Sequence, residues 1–333
     1  NTLGLPGFTE GETQCKDGQD NDCDGMVDDA DQDCDSVGTR TRANAEESLD
    51  VSDPVNTLFG ELWQRFDPDL ELGGPLPLRF ARYYASGLDA AGIVSTLGTN
   101  WRHNFDWSAS IVPGVSVDIL SAEGRLVEFQ ADGPDWHLVG NQDIAFQLVS
   151  DGGELVLGDP RTRLLYAFDP ASGRLNTIQD GNLNTLSLSY SGANLSSVSD
   201  GLGRSLTLLY NSGLLLSVTD DSGRQVVFGH SGNDLTTVTD VRSFTTVFGY
   251  ASGGLMSSMT RPLGNTPFTQ SWDGMDRVAT QTDANANQTS LSYDSPSLGD
   301  TMITDPLAQT AVHSYRPSGV LINLRDEAGQ DIA

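Results

Sequence analysis

From Tyr166 onward, apolar and polar residues alternate with a period of two in short runs: Leu186-x-Leu188-x-Tyr190, Leu206-x-Leu208-x-Tyr210, Val226-x-Phe228-x-His230 and Thr289-x-Leu291-x-Tyr293. Alternation of this kind puts one set of side chains on a buried face and the other in solvent, which predicts β-strands. An aromatic residue or a histidine closes each run, at Tyr166, Tyr190, Tyr210, His230, Tyr250, Trp272, Tyr293 and Tyr315. Ten to fourteen residues later comes an aspartate, at Asp180, Asp200, Asp220, Asp240, Asp283, Asp305 and Asp326, with Arg261 breaking the series once. The repeat length is therefore 20–24 residues. Turn residues such as Ser191-Gly192 and Asp221-Ser222-Gly223 divide each repeat into two strands. Two strands cannot bury a face alone, so neighbouring repeats are expected to pair edge to edge into one long sheet. A turn aspartate can accept hydrogen bonds from backbone amides two residues on, and that structural role is the expectation for this series.

Upstream, alternation in Leu78-Arg79-Phe80 and apolar runs at Ile111–Leu120, Arg125–Phe129, Ile144–Leu148 and Leu155–Leu157 predict further strands between Gly, Pro and Asp turns. No helical period appears. Residues 36–52 are polar, lack alternation and read as a linker. His103 sits in Gly98-Thr99-Asn100-Trp101-Arg102-His103-Asn104-Phe105 with no G-x-S-x-G elbow anywhere in the chain, so it reads as a structural hydrogen-bonding histidine and the protein as a non-enzyme.

Charge changes the picture at one end. The chain carries 46 acidic and 18 basic residues, a net charge of −28, with Lys16 its only lysine. That sign repels nucleic acid phosphates and anionic lipid headgroups, and no apolar run is long enough to span a bilayer. Neither nucleic acid nor membrane insertion is expected. Eleven acidic residues against Lys16 place −10 of the total within residues 1–35. From Asp20, the run D-N-D-C-D-G-M-V-D-D-A-D sets carboxylates at loop positions 1, 3, 5, 9 and 12 with Gly25 at position 6, the spacing of an EF-hand calcium loop. Alternate side chains of a coiled loop converge on one centre. Asp20, Asp22 and Asp24 would ligate directly, Met26 through its carbonyl, Asp28 through water, and Asp31 would close the shell. Asp31 is one methylene shorter than the usual glutamate, which weakens bidentate closure. A second, poorer frame uses Asp29 and Asp33 around Asp31, with Cys34 in the place of its glycine.

All three cysteines, Cys15, Cys23 and Cys34, fall in this acidic segment far from any histidine. Two can close a small disulfide loop in an oxidising compartment, the pairing being open, and this favours secretion over a cytosolic zinc site.

The run from Cys15 to Cys34 resembles the MopE-type metal-binding motif of bacterial secreted proteins and, more loosely, thrombospondin type 3 repeats. That resemblance implies an extracellular module stabilised by calcium. The strings D-P-V-N, L-P-L-x-F-x-R-x-Y and G-x-x-W-x-H-x-F resemble the domain that precedes the repeats of Rhs and teneurin-like proteins, which implies a structural plug or start cap. The motif Y-x-x-x-x-L-x-x-V-x-D-x-x-G-R, clear in Tyr190–Arg204 and Tyr210–Arg224, resembles the YD repeat of Rhs proteins, teneurins and insecticidal toxin-complex subunits. It implies a strip of β-hairpins spiralling into a hollow shell.

The expected fold is thus all-β, a spiralling hairpin sheet preceded by a β-rich N-terminal domain and a small calcium-loop module. Its regions are 1–35 (calcium module), 36–52 (linker), 53–160 (N-terminal β domain) and 161–333 (repeat array). The sequence stops at Asp331-Ile332-Ala333, partway through a repeat, so expected partners are copies of itself or the rest of a larger repeat protein. The leading functional expectation is a secreted, calcium-stabilised structural protein, displayed at the cell surface or assembling head to tail into an extracellular filament. The alternative is the N-terminal portion of an Rhs-like toxin-delivery or encapsulating shell.

Overall fold

The computed structural model describes residues 49–139, 144–315, 321–326 and 328–332. The described residues are all-β apart from a single 3-10 turn at Ser252–Gly254. The proposed calcium ligands Asp20, Asp22, Asp24, Met26, Asp28 and Asp31, the second set Asp29 and Asp33, and Cys15, Cys23 and Cys34 lie outside the described residues.

The N-terminal part builds four small antiparallel sheets. Strand β1 (Asp50–Val51) pairs with β2 (Val55–Asn56). Then follow β3 (Trp63–Arg65), β4 (Leu70–Glu71), β5 (Arg79–Phe80), β6 (Arg82–Ala85) and β7 (Trp101–His103). Of these, β3, β6 and β7 form one sheet in that order, and β4 pairs with β5. A four-stranded meander comes next: β8 (Ser108–Val112), β9 (Ser116–Leu120), β10 (Leu126–Asp132) and β11 (Asp135–Leu138). The apolar run expected as one strand over Ile111–Leu120 is therefore split between β8 and β9. Pro113 lacks the N–H that a ladder needs, and Gly114 adopts φ +70°, so the chain reverses there and Val112 pairs with Ser116.

Everything beyond belongs to one sheet of 18 strands, from β12 (Gln147–Asp151) to β29 (Leu321–Arg325), each hydrogen-bonded to its sequence neighbours. This sheet begins before Tyr166, where the aromatic–aspartate period starts. The alternation read from sequence is its packing code. In β16 (Thr185–Ser191) Leu186 and Leu188 are buried while Ser187 and Ser189 face solvent, and β18 (Ser205–Asn211) repeats the pattern with Leu206 and Leu208. The solvent face of the repeats is rich in Ser and Thr. Neighbouring strands join hydroxyls across it, as in Thr239–Thr245 (2.9 Å) and Ser271–Thr280 (2.7 Å).

The buried face needs a cover, and the N-terminal part supplies it. One continuous core joins Val55, Leu62, Leu78, Phe80, Tyr84 and Trp101 of the N-terminal strands to Leu186, Leu206, Val226, Phe248 and Val278 of the sheet. Phe80 packs on Phe228, and Trp101 sits edge-on to Phe248 with ring centroids 4.9 Å apart. Fully buried aromatics of this size dominate core energetics, so the two parts share a single core.

Candidate functional site

The functional geometry lies along the two long edges of the sheet and in the seam where the N-terminal segment meets it. On one edge the aspartate turns are built the same way. Asp200 Oδ1 accepts from the backbone N–H of Leu202 (2.9 Å) and of Arg204 (3.2 Å), and its Oδ2 accepts from Arg204 Nε (2.6 Å). Asp220 does the same with Ser222 and Arg224. Asp180, Asp240, Asp283, Asp305 and Asp326 each accept from the amides two and four residues on. In these turns the residue three beyond the aspartate adopts a left-handed conformation, including non-glycines such as Leu183 (φ +66°) and Ala308 (φ +63°). The carboxylate holds the turn closed while one residue takes the positive φ. The same device appears on the opposite edge at Asp273, bound to Met275, Arg277 and the Arg277 guanidinium. Burial pushes the Asp200 and Asp220 carboxyls up, but the turn hydrogen bonds and the arginines outweigh it, and both titrate below the ordinary aspartate range.

On the opposite edge the recurring feature of the period is a tyrosine hydroxyl. Tyr190 donates to the Leu175 carbonyl (2.9 Å), Tyr210 to Leu195 (2.9 Å), Tyr250 to Leu235 (2.5 Å) and Tyr293 to Val278 (2.7 Å), always fifteen residues back. Each tyrosine thus clamps its hairpin to the one before. A register shift accompanies the aromatic at Tyr190, Tyr210, His230, Tyr250, Trp272 and Tyr315, an extra residue that bends the strand and increases its twist.

The N-terminal segment lies along this second edge, its first residues against the last hairpins and Ala109 against the first, pinned hairpin by hairpin. Ala109 N bonds Gly173 O, and Leu215 N bonds Thr96 O. His230 Nε2 meets Leu97 O at 3.0 Å, and Thr99 N bonds Asn233 O. Tyr84 OH donates to Gly254 O and accepts from Met256 N, while Trp101 Nε1 donates to Tyr250 OH. Further on, Val278 N bonds Gly60 O, and Gln281 brackets the Asp53 backbone through both ends of its amide. Thr57 closes the far end, with its hydroxyl 2.8 Å from His313 Nδ1 and 2.6 Å from Tyr315 OH. Inside the seam Arg82 is buried in a bidentate pair with Asp69 (2.6 and 3.0 Å) and lies 4.5 Å over the Phe66 ring. Sequence reasoning missed this pair. A carboxylate thirteen residues away carries no period or motif, and only folding brings the two together.

His103 is buried, as its structural reading requires. Its Nε2 lies 3.1 Å from Asp106 Oδ1, and its Nδ1 accepts from Phe105 N. Burial holds its imidazole below the ordinary histidine range, so it stays neutral. Asp106 Oδ2 accepts from Ser95 Oγ and His103 N, both at 2.8 Å. With both nitrogens engaged, His103 braces the seam. Beside it, a cavity of about 380 Å³ opens between residues 92–109 and the sheet edge, lined among others by Arg102, Asp106, Trp107, Arg174, Tyr190 and Tyr210. Among the described residues no group of three or more His, Cys, Asp or Glu side chains is placed to hold a metal ion.

Residues 52–129, which contain most of the segment pinned along the sheet, match a domain of unknown function, DUF6531. No curated protein matches the chain. Among solved structures, the chain is similar to the crystal structure of TcdB2–TccC3, at 14% identity and a TM-score of 0.36 over 79% of this chain and 16% of that one. It is also similar to a Photorhabdus luminescens Tc holotoxin pore, at 14% identity and a TM-score of 0.27 over 82% of this chain and 17% of that one. The chain therefore spans about a sixth of the length of the chains it matches.

Proposed function

We propose that this chain is the N-terminal portion of an Rhs-like, YD-repeat encapsulating shell: an extracellular, non-enzymatic β-repeat wall whose N-terminal segment acts as its start cap. The observation that carries this reading is the seam. Residues 49–109 are pinned to successive hairpins from Gly173 to Tyr315 and fill the face that the sheet buries. A segment that lines one face of a repeat strip sets where the strip starts and which face points inward. The charge argues against the filament alternative, because copies carrying −28 each repel one another unless a cation intervenes. The proposed partner is further repeat sequence of a larger protein. Calcium at Asp20, Asp22, Asp24, Met26, Asp28 and Asp31, with a weaker site around Asp29 and Asp33, remains part of the proposal on the strength of the loop spacing.

Electron microscopy of the purified 333-residue chain, with calcium and with chelator, tests the assembly. Discrete particles are expected in both conditions. Filaments that form with calcium and dissolve with chelator would sink the shell reading and restore the filament.

A further inference from the structure

We infer that the cavity at the seam is a binding site for a single carboxylate on a small, largely apolar body, with Arg174 as the group that receives it. This goes beyond the shell reading and does not depend on it. The argument starts from a departure in the repeat chemistry. Arg204, Arg224 and Arg277 each follow an aspartate by four residues and pair with it at 2.6, 2.7 and 2.9 Å. Arg174 follows Asp169 by five. The Asp169 carboxylate closes on the amides of Ala171 (2.7 Å) and Ser172 (3.0 Å) instead. No hydrogen bond or salt bridge engages the Arg174 guanidinium among the described residues, although it lies close enough to Asp169 to help hold that carboxyl down, and it stacks 5.1 Å over the Tyr190 ring at the cavity wall.

The other charges lining the cavity do not neutralise it. Asp106 is committed to His103, Ser95 and the His103 amide. Arg102 donates to the backbone oxygens of Ala122 and Asp106. His103 is neutral, so among the lining side chains two guanidiniums face one carboxylate, with Asp169 acting on Arg174 from outside the lining, and the lining carries one net positive charge inside a chain of −28. Tyr190 and Tyr210 spend their hydroxyls on Leu175 and Leu195 carbonyls, which leaves ring surface to the cavity together with Trp107 and Phe105. Arginine receives a carboxylate through two parallel N–H donors, and aromatic walls favour an apolar body behind it. The negative charge of the whole chain repels polyanions, which narrows the ligand to a monoanion. Such a carboxylate can belong to a free small acid or to the C-terminus of a peptide.

Isothermal titration of the full chain at low ionic strength separates these sources. Benzoate represents a free acid and N-acetylphenylalanine a peptide terminus, with benzamide and N-acetylphenylalaninamide as uncharged counterparts. At least one acid is expected to bind with a dissociation constant on the order of 1 mM. Its amide and the R174Q variant should each weaken binding by roughly tenfold. R242Q, which removes an exposed turn arginine away from the cavity, should leave binding unchanged. Tighter binding of N-acetylphenylalanine assigns the site to a peptide terminus, and tighter binding of benzoate to a small acid. The inference is overturned if neither acid binds at roughly ten times that concentration, if the amides bind equally, or if R174Q binds like the wild type.

Discussion

Asp220 shows how much one side chain does in a repeat. Its carboxylate is almost fully buried and satisfies two backbone amides, the Ser222 hydroxyl and one guanidinium. Removing a buried acceptor leaves all four donors without that partner. D220A is expected to cost about 2–3 kcal/mol in urea unfolding, against about 1 kcal/mol for D305A, which serves two amides and no arginine. Equal losses would show that the arginine and the Ser222 hydroxyl add nothing. The same hydrogen bonds set the response to acid. Asn184 and Asn287 hold the Asp180 and Asp283 carboxyls below the ordinary aspartate value of 3.8, and Asp200, Asp220, Asp240 and Asp273 are also lowered. A lowered carboxyl contributes stability above its unfolded value and loses it as pH falls through its folded one, because the unfolded chain takes up protons first. Burial lowers His103 and His313 below 6.5, and the sign is again that acidification favours the unfolded chain. Thermal melts across pH should therefore be level between about pH 7 and pH 9, decline from about pH 6.5, and fall more steeply below about pH 4, while burial, which holds Tyr84, Tyr210, Tyr250 and Tyr293 protonated beyond the ordinary tyrosine range, brings a second decline above about pH 10. A melting temperature that rises on acidification from about pH 7 would contradict the carboxyl and histidine assignments.

At the scale of elements, the hairpin is the unit and the tyrosine its clamp. Each hydroxyl reaches back fifteen residues, so adjacent hairpins are joined by a side-chain bond as well as by the ladder. The seam adds a second tie, and glycine makes the close approach possible. Gly173 adopts φ +68°, and a Cβ there would collide with the Ala109 carbonyl oxygen, where β8 docks on the sheet. Gly192 has a similar φ of +59° but open space around it. G192A is expected to cost about 1 kcal/mol through backbone strain alone, and G173A at least about 2–3 kcal/mol because the docking must also yield. Chemical denaturation of the two variants measures the difference. Similar losses would mean that the β8 contact contributes little.

For the whole molecule, one core serves two parts of the chain, so the N-terminal segment and the sheet are expected to unfold together. Calcium acts on this whole through its N-terminal ligands if the proposed loop binds it. Calcium should raise the melting temperature of the wild-type chain, since a ligand that binds only the folded form stabilises it by mass action. The D20N/D24N double variant should lose that rise while keeping the melting temperature seen in chelator. No rise in the wild type would remove the cation site from the proposal.

The strands, turns and long sheet were legible because period-two alternation reports a half-buried strand wherever it occurs, and Leu186, Leu206 and Val226 point inward as their spacing requires. The turn role of the aspartates was legible for the same local reason, since their partners lie two and four residues away. The split of Ile111–Leu120 was written in Pro113-Gly114 and was outweighed by the apolar run around it. By itself the sequence determined what each repeat is, because a repeat's strands, turn bonds and inward face all follow from residues within about twenty positions. Only the tertiary structure decided what covers the sheet and which arginine lines a cavity. The contacts of Thr57 with His313, Tyr84 with Met256 and Phe80 with Phe228 join residues more than a hundred positions apart. Arg174 became distinct from its siblings only when the cavity that faces it had formed. Burial and docking are properties of surfaces brought together, and no local pattern encodes which surfaces those are.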